Sequence, residues 1–135
     1  MTKSYKRKIY YHDTDCGGIV YYANYLKFLE EARTDFFEQL NLDVCKIAEE
    51  DEALFVVARQ EIDYRLPSYY GEILDILTWI VELGKVKIVF GYEIRNKNGQ
   101  KVVDAKTLMF CVDKNIKKRQ IPTYVFEALK SCIKE

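Results

Sequence analysis

Residues 10–33 read YYHDTDCGGIVYYANYLKFLEEAR. Two aspartates flank a threonine, a glycine pair follows, and an amphipathic helix begins almost at once. The helix is expected from about Tyr22 to Leu40. At about 100° per residue, Phe28, Leu29, Ala32, Phe36 and Leu40 fall within roughly 60° of Tyr25. Leu26 and Phe37 widen that arc, while Lys27, Glu31, Thr34 and Glu38 gather opposite it. About half the circumference is apolar, more than a helix resting lightly on a surface needs. A helix packed into the concavity of a curved sheet fits this pattern. Arg33 falls inside the arc, so a partner such as Asp63 or Glu61, in the same chain or across an interface, is expected for it.

Strand-like stretches lie on both sides. A first strand is expected over 5–12 and the DTDCGG turn over 13–21. Residues 41–51 read as a turn and a short helix, and 122–133 as a closing helix with Pro122 in its first turn. Between them come four strands, at about 53–65, 72–83, 85–96 and 101–112. Pro67-Ser68, Gly84 and Asn96-Lys97-Asn98-Gly99 separate them, the last a strong hairpin signal. Ile73, Asp75, Leu77, Trp79, Val81 and Leu83 alternate with Leu74, Ile76, Thr78 and Ile80. In the next strand Val86, Ile88, Phe90, Tyr92 and Ile94 line up on one face. Short turns imply an antiparallel meander. The class is therefore α+β, with about five strands in one domain over 1–135. One sheet face buries the long helix. The other face of the 72–83 strand is also apolar and calls for a second subunit, or for the closing helix alone.

Composition narrows the function. Lys plus Arg and Asp plus Glu both number 21, which removes the positive footprint that broad nucleic-acid binding needs. No apolar run is long enough for a membrane span, and MTKSYKRKIYY lacks the apolar core of a signal peptide. Cys16, Cys45, Cys111 and Cys132 form no CxxC pair. Free thiols in a reducing cytoplasm are expected.

The DTDCGG segment admits several chemistries. His12, Asp13, Asp15 and Cys16 have poor zinc spacing and no second ligand cluster. A Cys16–His12 nucleophile pair lacks an orienting third group. Gly17-Gly18 lacks the rest of a dinucleotide or phosphate fingerprint. A carboxylate just ahead of a helix N-terminus is more informative. Unpaired N–H groups there can hold a developing oxyanion, while the carboxylate attacks or activates water. Asp13 and Asp15 as plain turn and cap residues remain an equal alternative on the residues alone.

The segment YYHDTDCGGIVYYANYLKFLEEAR resembles the signature of the 4-hydroxybenzoyl-CoA thioesterase family, in particular its YbgC-like acyl-CoA thioesterases. EIDYRLPSYYGEIL, residues 61–74, extends the resemblance, and so do the chain length and element order. The resemblance implies a hotdog fold: a long helix wrapped by an antiparallel sheet. It also implies homodimers, often assembled into homotetramers, with active sites at the subunit interface. Asp15 matches the catalytic aspartate, as nucleophile or general base. The N–H of Tyr22 matches the group that polarises the carbonyl. Gly18, Ile19 and Val20 would shape the approach, and Tyr25 would line the acyl pocket or pack in the core. YbgC-like members commonly carry histidine where this chain has Tyr22.

The implied substrate is an acyl-CoA with a short, medium or small aromatic acyl group. No separate cofactor is implied, coenzyme A being part of the substrate. Lys85 and then Lys87 match the basic residues expected near its phosphates, with Lys117, Lys118 and Arg119 as a further basic run, and Arg59 and Arg65 behind them. An acyl carrier protein is a further partner the resemblance allows. Competing readings are a module that binds acyl-CoA or an acyl carrier protein without turnover, and a hotdog hydroxyacyl dehydratase using His12.

Overall fold

The computed structural model describes residues 1–133. Strand β1 (Lys3–Lys8) leads through a 3₁₀ turn (Tyr11–Asp13) and the DTDCGG loop to helix α1 (Asn24–Gln39). Helix α2 (Val44–Asp51), strands β2 (Leu54–Tyr64), β3 (Ile73–Leu83), β4 (Lys87–Arg95) and β5 (Lys101–Val112), and helix α3 (Thr123–Ile133) follow. The strands form one sheet in the order β1-β3-β4-β5-β2, with every pair antiparallel. The expected α+β class and meander hold. The chain leaves the β1 edge through α1 and α2 to reach the β2 edge.

Burial follows the helix arc closely. Tyr25, Phe28, Leu29, Ala32, Phe36 and Phe37 are buried, and Phe36 and Phe37 meet Phe90 of β4 with ring centroids 5.7 and 6.3 Å apart. Ile88, Phe90, Tyr92 and Ile94 of β4 and Leu74, Ile76, Thr78 and Ile80 of β3 complete this core. Removing such surface from water stabilises by about 25 cal/mol per Å². Leu26, at the margin of the arc, stays exposed. Asp43 caps α2, its carboxylate accepting from the N–H groups of Cys45 and Lys46.

Several expectations shift. The first strand stops at Lys8 rather than position 12, because Asp13 Oδ2 accepts the Tyr10 N–H at 2.9 Å and draws the chain into a turn. Helix α1 starts at Asn24, since residues 21–23 form a turn closed by the Asn24 N–H on the Tyr21 carbonyl. Lys85 and Val86 lie in the turn before β4, closed by the Gly84 N–H on the Lys87 carbonyl at 2.8 Å. Pro122 precedes α3 rather than lying in its first turn.

Strict alternation in β3 also fails at Val81. Ile80 pairs with Phe90 but Glu82 pairs with Val89, so Val81 is a bulge. One extra residue reverses the facing of all that follow. Leu83 therefore pairs with Ile88 on the helix side instead of sharing a face with Trp79.

Two charged side chains of α1 find partners on the sheet. Glu31 Oε1 accepts from Arg7 Nε at 3.0 Å and Tyr5 Oη at 3.1 Å across on β1. Arg33 reaches neither Asp63 nor Glu61 of its own chain. Its guanidinium donates to Tyr92 Oη at 3.1 Å, while Asp63 and Glu61 take the neighbouring Arg65 and Arg59.

Candidate active site

The loop between the 3₁₀ turn and α1 is a small closed unit. Thr14 and Val20 form an antiparallel bridge, and the Asp15 N–H donates to the Ile19 carbonyl at 2.9 Å. The Gly18 N–H returns to the Asp15 carbonyl at 3.0 Å. Gly18 sits at φ +82°, a conformation that side chains with a Cβ rarely adopt. The loop is pinned to the segment before β3 by the Val20 N–H on the Ser68 carbonyl and by an Ile19–Tyr69 bridge. Asp15 is exposed at its rim. One carboxylate oxygen, Oδ1, accepts the Gly17 N–H at 2.8 Å, and Oδ2 has no partner among the described residues.

The chain then enters the helix. The Tyr21 N–H is taken by the Asp13 carbonyl at 3.0 Å, but the N–H groups of Tyr22 and Ala23 donate to no acceptor among the described residues. They are the orphan donors of a helix entry, where partial positive charge collects. Tyr22 is 61% exposed. Its carbonyl accepts from Tyr64 Oη at 3.3 Å, and its ring meets the Tyr64 ring edge-on at 6.0 Å. Tyr25, one turn on, is 3% exposed and packs against Phe28 and Tyr64, and burial raises its phenol above the ordinary value. An exposed carboxylate oxygen and free amides at a helix entry are the two parts that acyl transfer to water requires.

Asp13 has a different task. It is 3% exposed. Arg7 Nη1 meets its Oδ2 at 2.6 Å and Nη2 its Oδ1 at 3.4 Å. Burial acts to raise the Asp13 carboxyl, but the Arg7 bonds and the Tyr10 N–H outweigh it and hold the group below the usual carboxylate range. Its carbonyl also accepts from Asn24 Nδ2 at 2.9 Å. Asn24 thus ties the loop to α1 instead of capping the helix by its side chain.

The remaining candidates lie elsewhere. His12 stacks on Tyr10 at 6.1 Å, sits 3.9 Å from Asp13, and makes no contact with Asp15 among the described residues. Lys85 and Lys87 are at the far end of β3, whose 11 residues span roughly 33 Å. Lys87 Nζ is paired with Glu82 at 2.9 Å, whereas Lys85 is exposed and its side chain has no partner among the described residues. In the 117–119 run, Lys118 lies over the Phe110 ring at 4.1 Å and Arg119 bonds the carbonyls of Asp51 and Gln120. Arg65 is held by Asp104 at 2.6 Å. The four cysteines are free, and no group of His, Cys, Asp and Glu among the described residues is placed to hold a metal. No helix among them is long and apolar enough to cross a membrane. Arg7 and Tyr64 were not singled out from sequence. Arg7 shares a strand face with Lys3 and Tyr5, but only the fold reveals that this face meets Asp13 and Glu31.

Comparison with known proteins converges on one group. The chain is 42% identical over 87 residues to the acyl-CoA thioesterase YbgC of Helicobacter pylori, a match covering 64% of this chain and 62% of that protein. The chain thus spans less than two thirds of the length of that relative. It is 32% identical over 124 residues to the acyl-CoA thioester hydrolase YbgC of Escherichia coli O6:H1, covering 91% and 92% of the two chains. The crystal structure of a 1,4-dihydroxy-2-naphthoyl-CoA thioesterase from Synechocystis superposes with a TM-score of 0.91 over 100% of both chains, at 23% identity. That likeness establishes the hotdog form of the α+β fold. Residues 10–129, which take in the loop, the wrapped helix and strands β2 to β5, match the family pattern, and the chain belongs to the thioesterase-like superfamily.

Proposed function

We propose that the protein hydrolyses the thioester of an acyl-CoA to a free acid and coenzyme A, with Asp15 as the reacting carboxylate. The observation that carries this reading is a carboxylate oxygen in the loop that leads into a helix entry, that oxygen and the Tyr22 and Ala23 amides there all without a partner among the described residues. The amides would hold the carbonyl oxygen as it gains charge. Asp15 Oδ2 would attack the acyl carbon, or remove a proton from a water that does. Cleavage of the carbon–sulfur bond releases the thiolate of coenzyme A, which takes up a proton; where Asp15 itself has attacked, a water then hydrolyses the acyl-aspartyl anhydride to the free acid and restores the carboxylate. The relatives named as acyl-CoA thioesterases favour this substrate class.

The distance along β3 bears on assembly. Lys85 is too far from Asp15 of its own chain to share a substrate with it unless a second copy brings the two together. We infer a homo-oligomer, dimer or tetramer, with the site between subunits. Tyr22, Tyr25 and Tyr64 favour a short, medium or small aromatic acyl group beside the reacting carbon. Hydrolysis of an acyl-CoA panel by wild type and Asp15→Asn is the test. Coenzyme A release that a folded D15N loses bears the reading out. Equal release by both sinks it, and binding without turnover indicates a non-catalytic module instead.

A further inference from the structure

We propose that Arg7 is a positioning residue for hydrolysis: it fixes the angle between the Asp15 carboxylate and the helix-entry amides. The proposal rests on the reading of Asp15 given above. The loop from Thr14 to Val20 is closed on itself by the Thr14–Val20 bridge and the Asp15–Ile19 bond, and its two ends are joined by the Tyr21 N–H on the Asp13 carbonyl. It is therefore one body, rooted at Asp13 and pinned on its far side to Ser68 and Tyr69. Asp13 is the root, and Arg7 holds the root through both carboxylate oxygens.

The same guanidinium holds the other half of the site. Arg7 Nε donates to Glu31 Oε1 at 3.0 Å, two turns into α1, and the guanidinium carbon lies 4.3 Å from the Phe28 ring centre on that helix. Nη1 also donates to the Lys8 carbonyl at 2.7 Å, locking the side chain to its own strand. Its side chain is only 13% exposed, which limits competition from water. One planar fork thus joins β1, the root of the loop that bears the carboxylate, and the helix that bears the amides. Arginine suits this task because its donors point in fixed, divergent directions, as those of lysine do not. Loss of the fork leaves the loop and α1 joined only through the Asp13 carbonyl, with nothing to fix the Asp13 side chain against the helix, and misplacement of about 1 Å can cost about 10²-fold in rate.

A role confined to fold stability would lower the melting temperature without changing the kcat of folded enzyme. The test is therefore kinetic, with Arg7→Ala, Arg7→Lys and Asp15→Asn assayed beside wild type on the best acyl-CoA substrate. In R7A, kcat is expected to fall about tenfold to a hundredfold, with KM within about twofold. Guanidinium chloride at concentrations well below unfolding should restore kcat in R7A with saturation, and sodium chloride of equal ionic strength should not. R7K should keep its fold yet stay slow, and D15N should be insensitive to guanidinium. Wild-type kcat in folded R7A, or a loss confined to KM, overturns the proposal. If R7A does not fold, Glu31→Ala, which removes the hydrogen bond of the fork to α1, leaves the Phe28 contact in place and leaves Asp13 paired, carries the test. A several-fold kcat loss at constant KM supports positioning, and unchanged kcat refutes it. Activity of D15N equal to wild type defeats the underlying reading of Asp15 instead, whatever the Arg7 variants do.

Discussion

The Gly17 amide donates to Asp15 Oδ1 at 2.8 Å, so one residue of the glycine pair holds the very carboxylate that precedes it. The bond leaves Oδ2 as the oxygen open to the solvent side. A Cβ added at Gly17 would stand 3.3 Å from that same Oδ1, closer than most such contacts. Asp15 is exposed and has room to give way.

Gly17→Ala is thus expected to displace the carboxylate by a few tenths of an ångström and leave the core untouched. We expect kcat to fall about three- to tenfold, with a change in unfolding free energy of at most about 0.5 kcal/mol. Steady-state kinetics beside a urea titration separates the two. A stability loss with unchanged kcat would show that the bond serves only the turn.

Gly91 makes the opposite case, a glycine that the sheet needs. A Cβ there would lie 2.6 Å from Trp79 Nε1, 2.7 Å from its Cε2 and 2.9 Å from Val81 Cγ2. The indole lies across β4 because there is no side chain beneath it. Gly91→Ala should destabilise by about 1–3 kcal/mol. In a Trp79→Ala background the same change should cost much less, and a double-mutant cycle reads this coupling directly. Equal costs in both backgrounds would contradict the packing argument.

Much of this architecture was legible from periodicity alone. The apolar arc of α1 and the four strands after it could be read because burial on one face imposes a period of about 3.6 or 2 on the residues. What escaped the reading depends on a single inserted residue or on a contact between distant segments. The bulge at Val81 turns Leu83 over, yet leaves no mark in composition. Arg7 looks like one more cation in KSYKRK until β1 is set beside α1 and Asp13. Asp15 was legible as a candidate from its place ahead of a helix. The resemblance chose Asp15 over Asp13; on the residues alone the two stood level, and burial and Arg7 are what set Asp13 apart in the fold.

Lys85 and Lys87, two residues apart in sequence, should behave differently. Lys87 spends its charge on Glu82, while Lys85 keeps its own. If Lys85 meets a phosphate of coenzyme A, Lys85→Glu should raise KM about tenfold with kcat within about twofold, a uniform binding loss. Lys87→Glu should disturb the turn before β4 more than it changes KM. The Lys85 effect should also shrink as ionic strength rises, since exposed charges are screened. Initial-rate kinetics at two salt concentrations decides this, and equal KM for wild type and K85E removes Lys85 from the substrate path.

The Asp13–Arg7 pair should leave a signature in acid. The carboxyl of Asp13 is held below its ordinary value of 3.8 because Arg7 and the Tyr10 N–H outweigh the effect of burial. A group with a lowered value in the fold binds its proton more readily when unfolded, so stability rises with pH through that window. The stabilisation is complete above the ordinary carboxyl value and drains away as pH falls through the lowered one. Asp13→Asn removes the titrating group, at a cost of about 1–3 kcal/mol near neutrality. Asp104 and Asp113, also lowered, are common to both proteins and cancel in the difference. Urea unfolding of both at a series of pH values from 7 downward should therefore show a gap that is constant near neutrality and narrows below about pH 4. A gap that stays constant or widens in acid would mean that the Asp13 carboxylate gains nothing from Arg7, and that the loop is rooted by its backbone bonds alone.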